Sequence, residues 1–293
     1  MKRNVSLVLS GGGARGIAHI GVIEELEKQG FNIKSISGTS MGALVGGVYA
    51  VGKMKEYKEW IYTLDKKEIF KLIDFTLSFQ GIIKGDRALQ KMKEFIPDMN
   101  IEDLGIHYAA TAADIINNKE VVFTRGSIYD AIRASIAIPT VIAPVKSDNS
   151  LLVDGGVVNP VPINHVNRIK DDILVVVHVN ANIPVYNPPI TKIEKEKKQS
   201  IYSKKTKEFY SQLNKINPMT RNENMGYFHL MNKTVSLLTY QISTMTIEKY
   251  SPDILIQISR ESCDIFDFYK AEELVEIGRH AAIKSIAEYK SKS

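Results

Sequence analysis

Cysteine is nearly missing from this sequence: Cys263 is the only one in 293 residues. An internal disulfide and a cysteine-based zinc site are thereby excluded, which fits a reducing cytoplasm. Long hydrophobic runs are missing as well. No apolar stretch approaches the roughly 18 residues of a membrane-spanning helix. After Met1-Lys2-Arg3-Asn4 the apolar run 5–9 is cut short by glycines, too short for the core of a secretory leader, so none is expected. Strong net charge is lacking too, with 38 Lys and Arg against 33 Asp and Glu. The excess of +5 sits wholly in 192–215, which holds eight lysines and three glutamates. Arginines and aromatics form no nucleic-acid-binding module, so no nucleic-acid partner is expected. The lysine-rich segment reads as a solvated loop or helix, or as a patch for anionic lipid headgroups aided by Tyr202, Phe209 and Tyr210. The expectation is a cytoplasmic protein with peripheral membrane contact as the functional option.

What is present is a 44% hydrophobic chain that alternates strand and helix patterns. Residues 5–9, 33–37, 108–113, 120–124, 150–153, 172–179 and 254–258 read as strands. Residues 17–30, 41–51, 53–79, 129–135 and 271–289 read as helices. Phe228, Met231, Val235, Leu238, Ile242 and Met245 recur at spacings of three and four, a helix whose apolar stripe is expected to face the core. The fold class is α/β with a mainly parallel sheet. A single domain over 1–293 is expected, with a motif-bearing core at 5–180, a variable lysine-rich segment at about 184–221, and a last strand and helices in 222–293.

Between the first strand and first helix stands Gly11-Gly12-Gly13-Ala14-Arg15-Gly16. It satisfies the G-x-G-x-x-G dinucleotide fingerprint. Backbone N–H groups at a helix start can hold a pyrophosphate or a transient oxyanion equally well. A dinucleotide site needs an acid about 20 residues on, at the end of the second strand. That place holds Ser37-Gly38-Thr39-Ser40 instead. No Gly-Lys-Ser/Thr follows the glycines, so a P-loop fails too. Gly38-Thr39-Ser40-Met41-Gly42 fits G-x-S-x-G in its required strand–turn–helix setting. Ser40 is the candidate nucleophile, with a structural turn as the plain alternative.

A serine hydroxyl needs a base. Of the later histidines, His107, His165, His178, His229 and His280, only His165 lies near an acidic motif. Asp154 closes the strand 150–153 ahead of Gly155-Gly156. Active groups gather at the carboxyl ends of parallel strands, so Asp154 is expected to converge there with Ser40 and the glycine loop. A turn-capping carboxylate is its structural alternative.

These motifs resemble the patatin-like phospholipase family of the short bacterial type. The similarity extends to Arg133-Ala134-Ser135-Ile136-Ala137-Ile138-Pro139, to Asn159-Pro160-Val161-Pro162, and to the stretch from Asp267 to Leu274. It covers about 5–179, thins over 180–251 and returns at the end. The resemblance implies a three-layer α/β/α sandwich and an acyl hydrolase with a Ser40–Asp154 dyad. Gly11, Gly12, Gly13 and Met41 match the oxyanion hole, and Arg15 its basic position. Gly16, Gly38, Gly42, Gly155 and Gly156 match structural motif positions. No metal and no cofactor are implied, and the substrate is a lipid or acyl ester. Two other readings are a regulatory protein that keeps the fold without turnover, and a nucleotide-binding module using the glycine loop.

Overall fold

A computed structural model describes residues 3–78, 81–186 and 227–292. The lysine-rich segment 192–215 lies outside the described residues. By compactness the chain divides into one unit of Met1–Tyr186 with Thr239–Ser293 and another of Asn187–Leu238. The motif-bearing core lies entirely in the first.

That unit is built on an eight-stranded sheet. Strands β1 (Arg3–Leu9), β2 (Phe31–Thr39), β5 (His107–Asp114), β9 (Ile173–Ala181) and β10 (Ile254–Ser259) run parallel in the order β10-β9-β1-β2-β5. Strands β6 (Lys119–Phe123), β7 (Val145–Ser147) and β8 (Ser150–Asp154) complete it in antiparallel pairings beside β5. A separate hairpin pairs β3 (Phe75–Ser78) with β4 (Gly81–Ile83).

Alternation along the central strands sorts their side chains into two layers. Val5, Leu7 and Leu9 of β1 join Val175, Val177 and Val179 of β9 in the larger core. Helices α1 (Ala18–Lys28), α2 (Met41–Ala50) and α8 (Ala271–Lys292) contribute Ile20, Ile23, Val45, Leu274 and Ile286 to the same layer. Val8, Leu174 and Val176 point the other way, into a cluster with Val161, Ile163 and Val166. Ile247 of α7 (Tyr227–Tyr250) packs on that second face. Helices therefore flank a mostly parallel sheet, as the strand–helix alternation implies. Each fully buried Val, Leu or Ile contributes on the order of 1.5–3 kcal/mol.

Two expectations are corrected. The amphipathic pattern over 53–79 is not one helix but α3 (Met54–Tyr62), α4 (Lys66–Leu72) and strand β3. Asp65 makes the break: its carboxylate accepts the N–H groups of Lys67 and Glu68 and so restarts the helix as an N-cap. The stripe on α7 is not a buried one: Met231, Val235, Leu238 and Met245 are exposed. In its Thr239–Tyr250 part the buried side is the Thr239–Ser243–Ile247 row. The Ser243 hydroxyl donates to the Thr239 carbonyl at 2.7 Å, which lets a polar side chain be buried without an unmet hydrogen bond.

Helices α1 and α8 meet closely through paired glycines. A Cβ on Gly278 would collide with the Ala18 carbonyl, and one on Gly21 would lie 2.8 Å from the Arg279 amide nitrogen. Gly278→Ala gains helix propensity of up to about 1 kcal/mol, yet the clash is with backbone and cannot be relieved by a rotamer. It is expected to lower stability by about 1–3 kcal/mol in urea unfolding. An unchanged or raised midpoint would show that the helices are not in that contact.

Candidate active site

The register of β5 explains how residues far apart in sequence meet. Strand β2 runs along β5 and ends with Thr39 beside Thr111. Strand β8 runs the opposite way and ends with Asp154 beside Ala112. Strand β6 pairs with 110–114 and so occupies the other edge of β5. β2 and β8 thus share one edge and meet end to end, one residue apart. The convergence of Ser40 and Asp154 stands, but its expected reason does not. Asp154 arrives on an antiparallel strand and not at the carboxyl end of a parallel one.

Ser40 sits at φ 55°, ψ −124°, directly before α2. Such a conformation in a non-glycine residue costs on the order of 1–3 kcal/mol and persists only when neighbours enforce it. Gly38 and Gly42 permit the turn: a Cβ at Gly38 would lie 2.5 Å from the Ala43 nitrogen, and one at Gly42 would strike the Leu9 carbonyl. Ser135, the last residue of α6 (Ile128–Ser135), fixes the backbone. Its hydroxyl donates to the Thr111 carbonyl at 2.6 Å and accepts the Ser40 N–H at 2.8 Å. Two residues later the Ala137 carbonyl accepts the Asp154 N–H at 2.9 Å. One short segment therefore holds both strand ends.

Asp154 is 6% exposed and Ser40 5%. The Asp154 carboxylate accepts the Gly156 N–H at 2.7 Å. Burial pushes its carboxyl up to about 6, while the nearby Ser40 hydroxyl and the Gly156 N–H oppose the rise. Gly155 keeps the turn close, because a Cβ there would meet the Thr111 carbonyl.

The glycine loop lies next to this pair, and a Cβ on Gly11 would be 3.2 Å from Ser40 Cβ. The expectation that Gly11 supplies an oxyanion donor is corrected. Its N–H donates to the Pro160 carbonyl at 3.1 Å, and its carbonyl accepts Asn180 Nδ2 at 2.7 Å. Among the described residues no acceptor takes the N–H groups of Gly12, Gly13 or Met41. Gly13 has φ 57°, held by the Ala14 N–H donating to the Ile265 carbonyl at 3.0 Å. Gly16 leaves room for the Met41 side chain. Arg15 donates to the carbonyls of Arg260 and Cys263, at 3.0 and 3.2 Å. Its side chain orders that loop.

The segment 155–160 links these parts. The Asn159 N–H donates to the Gly155 carbonyl at 2.8 Å, and the Asn159 carbonyl accepts the Thr39 hydroxyl at 2.8 Å. Asn159 Nδ2 donates to Glu120 at 2.7 Å, and Glu120 pairs with His165 at 2.9 Å. Reasoning from residue chemistry missed Ser135, Asn159 and Pro160 as site residues, although both stretches that carry them are among the motifs quoted above. No histidine among the described residues hydrogen-bonds Ser40 or Asp154. His178 lies buried in β9, where desolvation lowers it to about 4. Among the described residues no group of three or more His, Cys, Asp or Glu is placed to hold a metal ion.

A strand–turn–helix serine, a buried carboxylate and a glycine loop are brought together here, the pattern of residues that a hydrolase-type nucleophile site uses. The family model described as patatin-like phospholipase matches residues 7–166. The chain belongs to the patatin-like phospholipase family. An uncharacterized NTE family protein of Mycobacterium tuberculosis is 32% identical, over 96% of this chain and 91% of its own. The Candida albicans lysophospholipase NTE1 is 29% identical over 98% of this chain, which spans 20% of that protein. The crystal structure of VipD from Legionella pneumophila aligns with a TM-score of 0.51 at 14% identity, covering 99% of this chain and 67% of that one. That likeness is one of fold.

The double role of Ser135 is open to measurement. Ser135→Ala leaves the buried Ser40 N–H without its acceptor and the Thr111 carbonyl without its donor. A loss of about 1–3 kcal/mol in urea unfolding is expected. A loss within about 0.5 kcal/mol, the usual scatter of neutral substitutions, would contradict the clamp.

Proposed function

We propose that this protein is a serine acyl hydrolase of lipid esters, working through a Ser40–Asp154 dyad and an acyl-enzyme. The observation that carries the reading is the Ser40 hydroxyl on a buried carboxylate whose basicity burial has raised. Family membership and the name of the Candida albicans relative support lipid as the substrate class.

In the first step Ser40 Oγ bonds to the acyl carbon as its proton passes to Asp154. The carbonyl oxygen takes up the electron pair and is held by the N–H groups of Gly12, Gly13 and Met41, with the N-terminus of α2 adding its positive end. Each such donor contributes roughly 2.7–4 kcal/mol in comparable sites. The tetrahedral centre collapses, Asp154 returns the proton to the departing alkoxide, and the alcohol leaves. Water then gives a proton to Asp154 and adds to the acyl carbon. Collapse releases the fatty acid, and Ser40 recovers its proton. The strained Ser40 backbone exposes Oγ at the helix start, and the Ser135 clamp keeps it there between steps.

A carboxylate can act as a base only when ionised, and the Asp154 carboxyl is raised to about 6. The rate constant kcat/KM for a soluble ester is expected to fall tenfold per pH unit below about 6 and to level off above it. A flat profile between about pH 4 and 8 would count against Asp154 as base. The sign for stability is the opposite of the usual carboxylate. Because the folded pKa lies above the ordinary aspartate value of 3.8, the ionised group costs folding free energy once pH passes through that window. Asp154→Asn should therefore keep or raise Tm at pH 7 while lowering kcat by roughly 10²–10⁴. Full turnover in that variant would defeat the dyad. A fluorophosphonate probe should label the wild type, and equal labelling of Ser40→Ala would remove Ser40 as nucleophile.

The lysine-rich segment 192–215 is read as the candidate patch for anionic headgroups, on a cytoplasmic protein in peripheral membrane contact. Among the described residues no helix is long and apolar enough to cross a membrane.

A further inference from the structure

We propose that the turn joining β5 to β6 is a lipid-docking tip, whose two isoleucines enter the apolar part of an anionic lipid surface. It would present the Ser40–Asp154 edge to the ester bonds lying there. The purpose of the tip rests on the lipid-hydrolase reading; its binding does not.

Ile115 is 50% exposed and Ile116 60%. They stand side by side at a place where polar turn formers are favoured. The turn chemistry is supplied by their successors, Asn117 and Asn118, the latter at φ 52°. The isoleucine side chains therefore have no part in making the turn, and leaving two large β-branched side chains in water forgoes their burial.

The backbone beneath them is fixed in advance. Asp114 is 1% exposed, and its carboxylate accepts the N–H groups of Ile116 at 3.1 Å and of Asn117 and Leu151 at 3.3 Å. It also accepts Asn117 Nδ2 at 2.6 Å, and the same nitrogen reaches the Asn149 carbonyl at 3.0 Å on the neighbouring β7–β8 hairpin. These bonds hold the Asp114 carboxyl well below the usual carboxylate range. Two hairpin tips are thus joined into one support, and little ordering remains to be done on contact.

Its position relates the tip to the dyad. Ala112 is level with Asp154, and Ile115 lies three residues further along the same strand. At about 3.3 Å per residue the tip stands roughly 10 Å beyond the level of the dyad. Apolar groups sink roughly 5–10 Å into a bilayer interface, so the two lengths match. Val158, four residues past Asp154, is exposed as well and adds apolar surface beside the base turn.

Charge selects the occupant. Lys119 and Lys146 are exposed on the two joined hairpins, and among the described residues neither enters an ion pair. One exposed acid, Asp148, lies between β7 and β8. Unpaired cations beside an apolar point suit anionic headgroups. Two isoleucines and a valine fall far short of the roughly 1,200 Å² of a stable protein interface, but they suffice for reversible contact with a bilayer.

The test uses the full chain with phosphatidylcholine vesicles containing phosphatidylglycerol. The double variant Ile115→Asp, Ile116→Asp should lose co-sedimentation by at least about tenfold. Hydrolysis of a dissolved nitrophenyl acetate should be unchanged. If the aspartates impair folding, the milder pair Ile115→Ser, Ile116→Ser should still weaken binding severalfold with an unaltered melting curve. Equal binding by wild type and variants, or no binding by the wild type, would overturn the proposal. So would a wild-type dimer that the double variant dissociates while vesicle binding persists, since the occupant would then be a second copy. Vesicle binding lost in the variant, with no ester cleaved even by the wild type, would uphold docking and defeat the hydrolase reading instead.

Discussion

The end-to-end meeting of β2 and β8 along one edge of β5 is the constraint on which the site depends. A strand edge offers one row of hydrogen-bonding groups, and two strands sharing that row must stop where they meet. β2 stops at Thr39 and β8 at Asp154, against adjacent residues of β5. The chain must then turn sharply out of the sheet at both points. On one side it makes the strained Ser40 turn, and on the other the Gly155-Gly156 turn. Ser135 and Ala137 fill the junction and hold both ends. The proximity of hydroxyl and carboxylate is thus a consequence of sheet register, which the buried core fixes strongly.

The electrostatics follow from the same junction. Closing the gap between two strand ends removes water, and desolvation raises the carboxyl. The Gly156 N–H and the nearby Ser40 hydroxyl oppose it. Asp114, two residues beyond the junction on β5, shows the contrast. It accepts several hydrogen bonds from backbone and from Asn117, and its carboxyl moves the other way. One strand end therefore carries a carboxylate whose basicity is raised, as the proposed base requires, and another a carboxylate that anchors structure, and hydrogen-bond supply separates the two.

Much of this was legible in the residues. The short apolar run of β1 and the continuous apolar run of β9 marked buried strands, and both glycine motifs marked turns. The absence of an acid after β2 separated a hydrolase-type turn from a dinucleotide site. Other features could not be read. Asp65 breaks an amphipathic pattern that looks continuous, because capping depends on side-chain geometry and not on hydrophobicity. The α7 stripe misled because the face it buries there uses a threonine and a serine that bond within the helix or nearby. The hairpin β3–β4 and helix α5 (Asp86–Lys93) left no clear periodic signal. The antiparallel approach of β8 and the spent amide of Gly11 are matters of strand direction and register, which residue types alone do not encode.

The account centres on Asp154 as a carboxyl raised by burial and restrained by Ser40. Its titration by ¹³C NMR, with the resonance assigned through Asp154→Asn, tests this most directly. The account predicts a midpoint near 6 in the wild type. It predicts a further rise in Ser40→Ala, where a hydrogen bond favouring the ionised form is lost. A midpoint near the ordinary aspartate value of 3.8 in both proteins would contradict it.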